Sequence, residues 1–345
     1  MTWPAVRTFA VDDFDLDALL AARRGQTISV CLPARNEGST VGHVVRTIVR
    51  EFVEQVPLVD EVLVIDDGST DDTALRAAEA GAVVVGANDV LPECGPGTGK
   101  GEALWKSLAA CEGDLIVWCD ADIRDFEAGF VTGLLGPLLL HDGIDFVKGF
   151  YDRPIAGSTD QGGRVTELVA RPLVALFFPH LASYVQPLAG EYAGRRSLLE
   201  QVPFEQGYGV DLGLLIDLAA ETGLDAMAQV DLGTRVHRNR PLDELSPQAL
   251  AILHSVLARA DVPLPLWPSV LVRPGTPPVT VHPGRRPPID SVAGYRRRRA
   301  DRLSPIRYGA SRSSGARTSL TTPLPGTASS AAVRAATSSI GSFNT

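Results

Sequence analysis

The stretch Leu115-Ile-Val-Trp-Cys-Asp-Ala-Asp122 is a run of apolar residues that ends in two carboxylates. Its apolar part predicts a short strand buried on both faces. Because side chains alternate along a strand, we expect Asp120 and Asp122 to project from the same side of its end. Two carboxylates at one spot repel each other unless a cation or donor groups lie between them. The pair therefore predicts a site for a hard cation such as Mg²⁺ or Mn²⁺, brought in with a diphosphate.

Strand-like and helix-like segments alternate on both sides of this stretch. Nearly continuous apolar runs predict strands at residues 27–32, 61–65, 82–85 and 115–119. The segments between them have helical spacing or helix-start residues, at 38–55, 71–80 and 99–110. Such alternation predicts an α/β fold, with a mostly parallel, Rossmann-like sheet covered by helices on both faces. Ligands of such sheets bind at the carboxyl ends of the strands.

Polar clusters follow three of the predicted strands, at 33–37, 66–72 and 120–122. Because parallel strands end at one edge of a sheet, we expect the three clusters to meet there. Carboxylates and amides suit a base and a ribose, whose N–H and O–H groups donate. Lys100 adds positive charge at a predicted helix start, where free N–H groups favour anions. A nucleotide site is the interpretation that these clusters favour, although each has a structural explanation by itself.

Composition excludes several classes of protein. The 345 residues have no apolar run long enough to span a membrane, and the first residues lack the basic start and apolar core expected of a signal peptide. The four cysteines form no CxxC pair, which favours a reducing cytoplasm. The net charge is -9, but the residues from Gly284 onward carry eleven Arg and two Asp, so the remainder carries -18. Such an acidic body argues against a nucleic-acid-binding face.

The chain divides into four predicted regions. Residues 1–26 form an N-terminal extension, and residues 27–150 form the nucleotide-binding half. Residues 151–265, with predicted helices at 165–181, 210–221 and 247–259 and a strand at 228–236, form a smaller half. Residues 266–345 are rich in Pro, Arg and Ser and are predicted to be largely disordered.

The motifs together resemble those of a known family. The first half is similar to nucleotide-sugar glycosyltransferases of the GT-A fold, on the runs Leu32–Glu37, Asp66–Asp71, Gly99–Trp105 and Asp120–Asp122. The second half resembles the glucosyl-3-phosphoglycerate synthases more specifically, on Gly163–Pro172, Gln186–Tyr192, Gly207–Val210 and Val236–Pro241. The resemblance covers residues 27 to about 260. It implies a homodimeric, metal-dependent enzyme that moves glucose from UDP-glucose to the 2-hydroxyl of 3-phosphoglycerate with retention, giving glucosyl-3-phosphoglycerate.

The resemblance also implies roles for individual residues. Those expected to bind UDP-glucose are Pro33, Ala34, Arg35, Asn36, Glu37, Asp67, Lys100, Asp120, Ala121, Tyr208, Asp211, Arg235 and Arg240. Asp122 and His237 are expected to ligate Mg²⁺ or Mn²⁺. Asp211, Lys100 and Asp122 are the expected catalytic residues. Position 211 departs from the family, where we expect Glu, and its side chain is one methylene shorter.

The acceptor carries a phosphate and a carboxylate, so an acidic protein needs local guanidinium and N–H groups to bind it. The residues expected to do so are Gly163, Arg164, Val165, Thr166 and Asn239. Arg235, Arg238 and Arg240 form a basic cluster beside Asn239, and a solvated edge is the structural alternative for this cluster.

Other functions stay open at this point. A mannosyl-3-phosphoglycerate synthase, or another transferase with a different sugar nucleotide, would share these motifs, because glucose and mannose differ only at C2. A sugar-1-phosphate nucleotidyltransferase would share the sheet, but the early Gly-rich run that ends in Arg and Lys is absent from the sequence. A non-catalytic sugar-nucleotide-binding protein would bind UDP-glucose without turnover.

Overall fold

The computed structural model describes residues 5–97, 99–152, 163–235, 242–264, 269–282 and 284–303. By their contacts, residues Met1–Leu303 form one compact unit. The predicted residues His237, Asn239 and Arg240 lie outside the described part of the chain.

A central sheet of eight strands dominates the described part of the chain. Its strands are β1 (Arg7–Ala10), β2 (Ile28–Ala34), β3 (Glu61–Asp66), β4 (Val83–Gly86), β5 (Leu115–Trp118), β6 (Phe146–Asp152), β7 (Tyr192–Arg195) and β9 (Met227–Thr234). The spatial order is β1-β9-β6-β7-β5-β2-β3-β4. Within this sheet, β7 runs antiparallel to both of its neighbours, β5 and β6. The predicted mostly parallel α/β sheet is therefore confirmed.

The remaining strands form two short antiparallel pairs. Strand β8 (Phe204–Glu205) pairs with β12 (Arg285–Arg286), and β10 (Ser269–Arg273) pairs with β11 (Thr276–Val281).

Helices cover both faces of the sheet. They are α1 (Leu16–Arg23), α2 (Val41–Val49), α3 (Thr73–Glu79), α4 (Lys100–Ala110), α5 (Gly129–Leu140), α6 (Arg171–Phe177), α7 (Arg196–Leu199), α8 (Val210–Thr222), α9 (Leu242–Arg259) and α10 (Ala293–Leu303). Wider π-type turns extend α2 over Arg50–Gln55 and precede α6 over Thr166–Ala170. No helix in this part of the chain is long and apolar enough to cross a membrane.

Two hydrophobic clusters, one on each face of the sheet, explain why its strands are apolar throughout. In β2, Val30 and Leu32 pack into one cluster, while Cys31 between them packs into the other. Strand β5 alternates in the same way, with Val117 on one face and Trp118 on the opposite face. Successive side chains point to opposite faces of a strand, so a strand buried on both sides has few polar positions.

Helix α5 was not predicted, because Gly and Pro weaken its signal. It contains Gly129, Gly133, Gly136 and Pro137, residues that disfavour a helix. The glycines are needed for close packing: a Cβ at Gly136 would lie 2.2 Å from the ring of Phe14. Burial against the sheet outweighs the poor propensity.

Both ends of the chain differ from their predictions. The N-terminal region is part of the fold, because β1 extends the sheet beside β9 and α1 packs against α5. The prediction of disorder is wrong for residues 269–282 and 284–303, which contain β10, β11, β12 and α10. Buried Ile289 and Tyr295 fix the latter segment to the core, so two apolar anchors outweigh its basic composition. Residues 304–345 lie outside the described part.

Candidate active site

The carboxyl ends of β2, β3 and β5 meet at one edge of the sheet, since β2 pairs in parallel with both β3 and β5. The Asp67 N–H donates to the Ala34 carbonyl over 2.9 Å, and the Arg35 guanidinium lies 3.5 Å from the Asp67 carboxylate. Contacts between these loops bring together the polar clusters that the sequence predicted at this edge.

Asp120 and Asp122 both face Arg235, the residue that follows β9. Its Nη2 lies 2.6 Å from Asp122 Oδ1, and its Nη1 lies 3.4 Å from Asp120 Oδ2. The arginine is buried and also donates to Glu191 and to the Tyr151 hydroxyl. The two aspartates thus project to one side, and a buried guanidinium holds them there.

Lys100, the first residue of α4, joins two of the carboxylates. Its Nζ lies 2.8 Å from Asp120 Oδ1 and 3.1 Å from Asp211 Oδ1. Burial acts to lower the pKa of Lys100, but Asp120 and Asp211 outweigh it and raise the pKa well above its ordinary value. The lysine is therefore a permanent cation beside the acid pair.

Asp211 lies in the first turn of α8 and is buried. The Tyr192 hydroxyl donates to its Oδ1 over 3.2 Å. Burial raises the pKa of Tyr192, and the nearby carboxylate of Asp211 raises it further, so the phenol keeps its proton. Two donors, Lys100 and Tyr192, fix the short side chain of Asp211.

Gly190 lies directly against the charged groups. A Cβ at this position would be 2.3 Å from Lys100 Nζ and 2.4 Å from Asp120 Oδ2. Carbon atoms do not approach that closely without displacing a neighbour. The contact between Lys100 and Asp120 therefore requires glycine at position 190, a residue to which the motif Gln186–Tyr192 assigned no role.

Lys148, in β6, is buried directly beneath Asp211 and Tyr192. Its Nζ donates to the Ala189 carbonyl over 2.9 Å and to the Asp211 carbonyl over 3.3 Å, and it lies 4.7 Å from the centre of the Tyr192 ring. The sequence analysis assigned Lys148 no role. The signal that could have revealed one is a lysine inside a strand-like apolar run. Burial lowers the pKa of Lys148 to about 8, although nearby Asp211 opposes the shift.

We expect Lys148 to make stability rise with pH. Its pKa is about 8 in the folded protein against 10.5 ordinarily, so the unfolded chain binds the extra proton between these values. Asp211, Lys100, Glu191, Asp120 and Tyr192 surround it. Between about pH 7.5 and about pH 10, the difference in unfolding free energy between wild type and Lys148→Met should move in favour of wild type by about 2 kcal/mol. Denaturant unfolding at the two pH values measures it, and an unchanged difference would contradict it.

The predicted donor side is built from three loops. The Gly99 N–H donates to Asp67 Oδ2 over 2.8 Å, which ties the start of α4 to the loop after β3. Asn36 has a left-handed backbone, and its side-chain oxygen accepts the Thr70 N–H over 2.8 Å. Burial raises the pKa of Asp67, while the Gly99 N–H and Arg35 oppose the shift.

The other predicted residues are placed as follows. Pro33 and Ala34 end β2, and Ala121 is buried between the two aspartates. Glu37 donates its backbone N–H to the Thr73 hydroxyl over 2.8 Å. Tyr208 is partly exposed in the turn before α8, near Asp211 in sequence. The predicted acceptor residues Gly163, Arg164, Val165 and Thr166 begin the helical segment that ends with α6.

This combination of sheet, Asp-x-Asp pair and helix-start lysine defines a GT-A-fold glycosyltransferase. The model of the family Glycosyl transferase family 2 matches residues 29–162, which include all of β2 except Ile28, then β3 to β6 and both aspartates.

Similarity to individual proteins narrows the class. The chain is 53% identical over 248 residues to glucosyl-3-phosphoglycerate synthase of Mycolicibacterium smegmatis, an alignment that covers 71% of this chain and 81% of the relative. At this identity and coverage, the chain belongs to the glucosyl-3-phosphoglycerate synthase family.

Two solved structures are similar over most of the chain. One is glucosyl-3-phosphoglycerate synthase from Mycobacterium tuberculosis in complex with Mn²⁺, UDP-glucose and phosphoglyceric acid, with 45% identity and a TM-score of 0.76 over 84% of this chain and 99% of that chain. The other is mannosyl-3-phosphoglycerate synthase from Rubrobacter xylanophilus, with 38% identity and a TM-score of 0.76 over 83% of this chain and 97% of that chain.

Proposed function

We propose that this protein transfers glucose from UDP-glucose to the 2-hydroxyl of 3-phosphoglycerate, with retention at the anomeric carbon. The observation that carries the proposal is the junction of Lys100 with Asp120 and Asp211, beside Asp122, at the ligand-binding edge of the sheet. Membership of the glucosyl-3-phosphoglycerate synthase family supports the choice of both substrates.

The acid pair fits Mg²⁺ or Mn²⁺. The side chains of Asp120 and Asp122 are 24% and 29% exposed, so their hard carboxylate oxygens lie near solvent while Arg235 contacts both of them and Lys100 contacts Asp120. Asp122 would hold the ion together with His237. A bound divalent ion supplies Lewis-acid stabilisation of the diphosphate. Asp120 would face the ribose, whose hydroxyls donate to carboxylates.

The protein's own residues then stabilise the charge that builds on the departing diphosphate. Lys100 is a fixed cation at the N-terminal end of α4, where the helix dipole also favours anions. Asp211 would orient the sugar, because Tyr192 and Lys100 fix the carboxylate before substrate arrives. For retention the acceptor hydroxyl attacks from the leaving-group side. Its proton can pass to a diphosphate oxygen, so a strong protein base is not required.

Arg164 and the backbone N–H groups at 163–166 would bind the acceptor's phosphate or carboxylate. The carbonyl of Gly163 accepts the Glu167 N–H over 3.0 Å, so a helical turn starts there. The N-terminal end of such a turn favours an anion. Asn239 would add an amide donor.

We further propose a cytoplasmic homodimer. Three of the four free cysteines are buried, as suits a reducing compartment. Leu168 and Leu176 are exposed on the helical segment that includes α6, while Leu173 and Val174 on the same segment are core residues. An exposed apolar strip beside a packed face suits contact with a second copy.

The identity of the sugar-nucleotide donor can be tested by comparing binding affinities in a titration. We expect UDP-glucose with Mn²⁺ to bind more tightly than GDP-mannose, and 3-phosphoglycerate to be glucosylated on mixing. Similarity to a mannosyl-3-phosphoglycerate synthase makes GDP-mannose the second candidate donor. Isothermal titration calorimetry, followed by a product assay with each nucleotide, separates the two. Preference for GDP-mannose would reject UDP-glucose as the donor. Binding of UDP-glucose without turnover would reject the proposal that the protein is an enzyme.

A further inference from the structure

Arg286, in β12, connects the C-terminal segment to the start of α4. We propose that Arg286 is a positioning residue for the sugar-nucleotide donor, because it fixes Lys100 through the buried carboxylate of Glu102. The inference rests on the proposed function of Lys100 in donor binding. It assigns a role to a segment that composition predicted to be disordered.

Glu102 is the link between Arg286 and Lys100. Its side chain is 0% exposed and lies in the first turn of α4, two residues after Lys100. Arg286 Nε lies 2.7 Å from Glu102 Oε2, and Nη2 lies 2.8 Å from Oε1. Such bidentate, charge-assisted pairs are stronger than ordinary hydrogen bonds. Without it, a buried charge would have lost its principal partner.

The same guanidinium also binds the loop that precedes Lys100. Arg286 Nη1 donates to the Cys94 carbonyl over 2.7 Å, and Nη2 lies 3.2 Å from the Gly95 carbonyl and 3.4 Å from that of Pro96. The guanidinium lies 5.3 Å from the centre of the Trp105 ring. One side chain therefore holds the chain on both sides of Lys100.

The backbone around Lys100 depends on neighbouring elements for its position. Gly99 has φ = 94°, a conformation that favours glycine. A Cβ at Gly101 would lie 1.6 Å from the Glu205 carbonyl, so α4 starts in direct contact with β8. The Glu102 N–H donates to the Gln206 carbonyl over 3.0 Å. Two glycines give a flexible helix start that its neighbours must fix.

Strand β12 and the residues next to it contact both β8 and α4. Arg286 pairs with Phe204 in the two-stranded sheet, and the Gln206 N–H donates to the Gly284 carbonyl over 2.9 Å. The Trp105 indole donates to the Pro287 carbonyl over 2.8 Å. Gly284, Arg286 and Pro287 therefore contact α4 itself and the segment 204–206, which packs against the start of α4. Release of Arg286 should let Lys100 move away from Asp120 and Asp211.

The experiment compares three variants of the full chain with wild type. Arg286→Ala removes every contact of the guanidinium, and Arg286→Lys keeps only a point charge. Glu102→Gln combined with Arg286→Gln removes both charges of this pair and so avoids an unpaired buried carboxylate. Buried Lys106, whose Nζ lies 3.7 Å from Glu102 Oε1, keeps its hydrogen bond to the Val90 carbonyl in this variant. The matched control is Arg285→Ala: the side chain of this half-exposed neighbour pairs with Asp217 of α8 at 3.0 Å instead of with Glu102.

We expect each Arg286 variant to bind UDP with Mn²⁺ about 10- to 100-fold more weakly, and to raise the KM for UDP-glucose in parallel. The KM for 3-phosphoglycerate should stay within about 2-fold, since the contacts of Arg286 lie on the donor side. Arg286→Lys should retain more donor affinity than Arg286→Ala. Arg285→Ala should bind donor as wild type does. Circular dichroism and thermal melts identify the variants that fold.

Three outcomes would overturn the inference. They are wild-type donor affinity in a folded Arg286 variant, an equal rise in the KM of both substrates, and recovery of donor affinity in the double variant. The last would mean that only charge balance at Glu102 matters. If wild-type protein itself failed to bind UDP with Mn²⁺, the proposed function would fail instead, so the two failures are distinguishable.

Discussion

Asp122→Asn is expected to lower kcat/KM with UDP-glucose by roughly 100-fold or more. The amide has the size of the carboxylate but lacks the negative charge that a hard cation requires. Affinity for Mn²⁺ in the presence of UDP should fall in parallel. The fold should persist, because Arg235 keeps its contacts with Glu191 and Asp120 when one partner becomes neutral.

Three measurements check this: steady-state kinetics, titration of Mn²⁺ with UDP, and a thermal melt. The melting temperature should stay within about 3 °C of wild type. Asp225→Asn is the matched control, since this exposed aspartate lies in the turn before β9, at the opposite end of that strand from Arg235. Full Mn²⁺-dependent activity in Asp122→Asn would show that the pair is a structural ion cluster and would remove the basis of the proposed function.

Gly190→Ala should cost about 100-fold in kcat/KM while the protein remains folded. The added methyl would lie 2.3 Å from Lys100 Nζ, so the flexible end of the lysine has to move away from Asp120. Movement of about 1 Å is enough to lose the alignment of a charged group with its substrate. The core is spared, because a side chain end yields more easily than backbone.

The matched control is Gly42→Ala, within α2. A methyl there would meet the exposed Arg46 side chain at 3.2 Å, so the same substitution should leave activity unchanged and favour the helix. A second readout is the pH dependence of UDP binding. As the pH rises, binding should begin to weaken at a lower pH in Gly190→Ala, because a lysine without its carboxylate partners loses its proton more easily. Wild-type kinetics for Gly190→Ala would mean that Lys100 needs no fixed position and would count against its role.

Much of the fold could be predicted from local pattern. The apolar strands at β2, β3 and β5 and the polar clusters that follow them are properties of short segments. Parallel strands share one edge, so strand order and direction are enough to place together segments that are far apart in sequence. Family membership could be predicted for the same reason, because each motif occupies consecutive residues. The similarity to known relatives confirms it. The individual roles of residues such as Asp211 and Arg164 stay predictions.

Other features depend on contacts that no local pattern encodes. Arg286 is one of many arginines in a basic, proline-rich stretch, and only the fold brings it to Glu102, 184 positions away. Lys148 and Gly190 became recognisable as site residues through their distances to Asp211 and Lys100.

The sequence alone determined that these acids meet at one edge of the sheet, because strand alternation and parallel pairing are rules of the backbone. The tertiary structure decided how those acids are held. A buried charge is stable only beside partners of opposite charge or hydrogen-bond donors, and Arg235, Lys148 and Arg286 come from three separate parts of the chain. Their meeting depends on the packing of the whole domain.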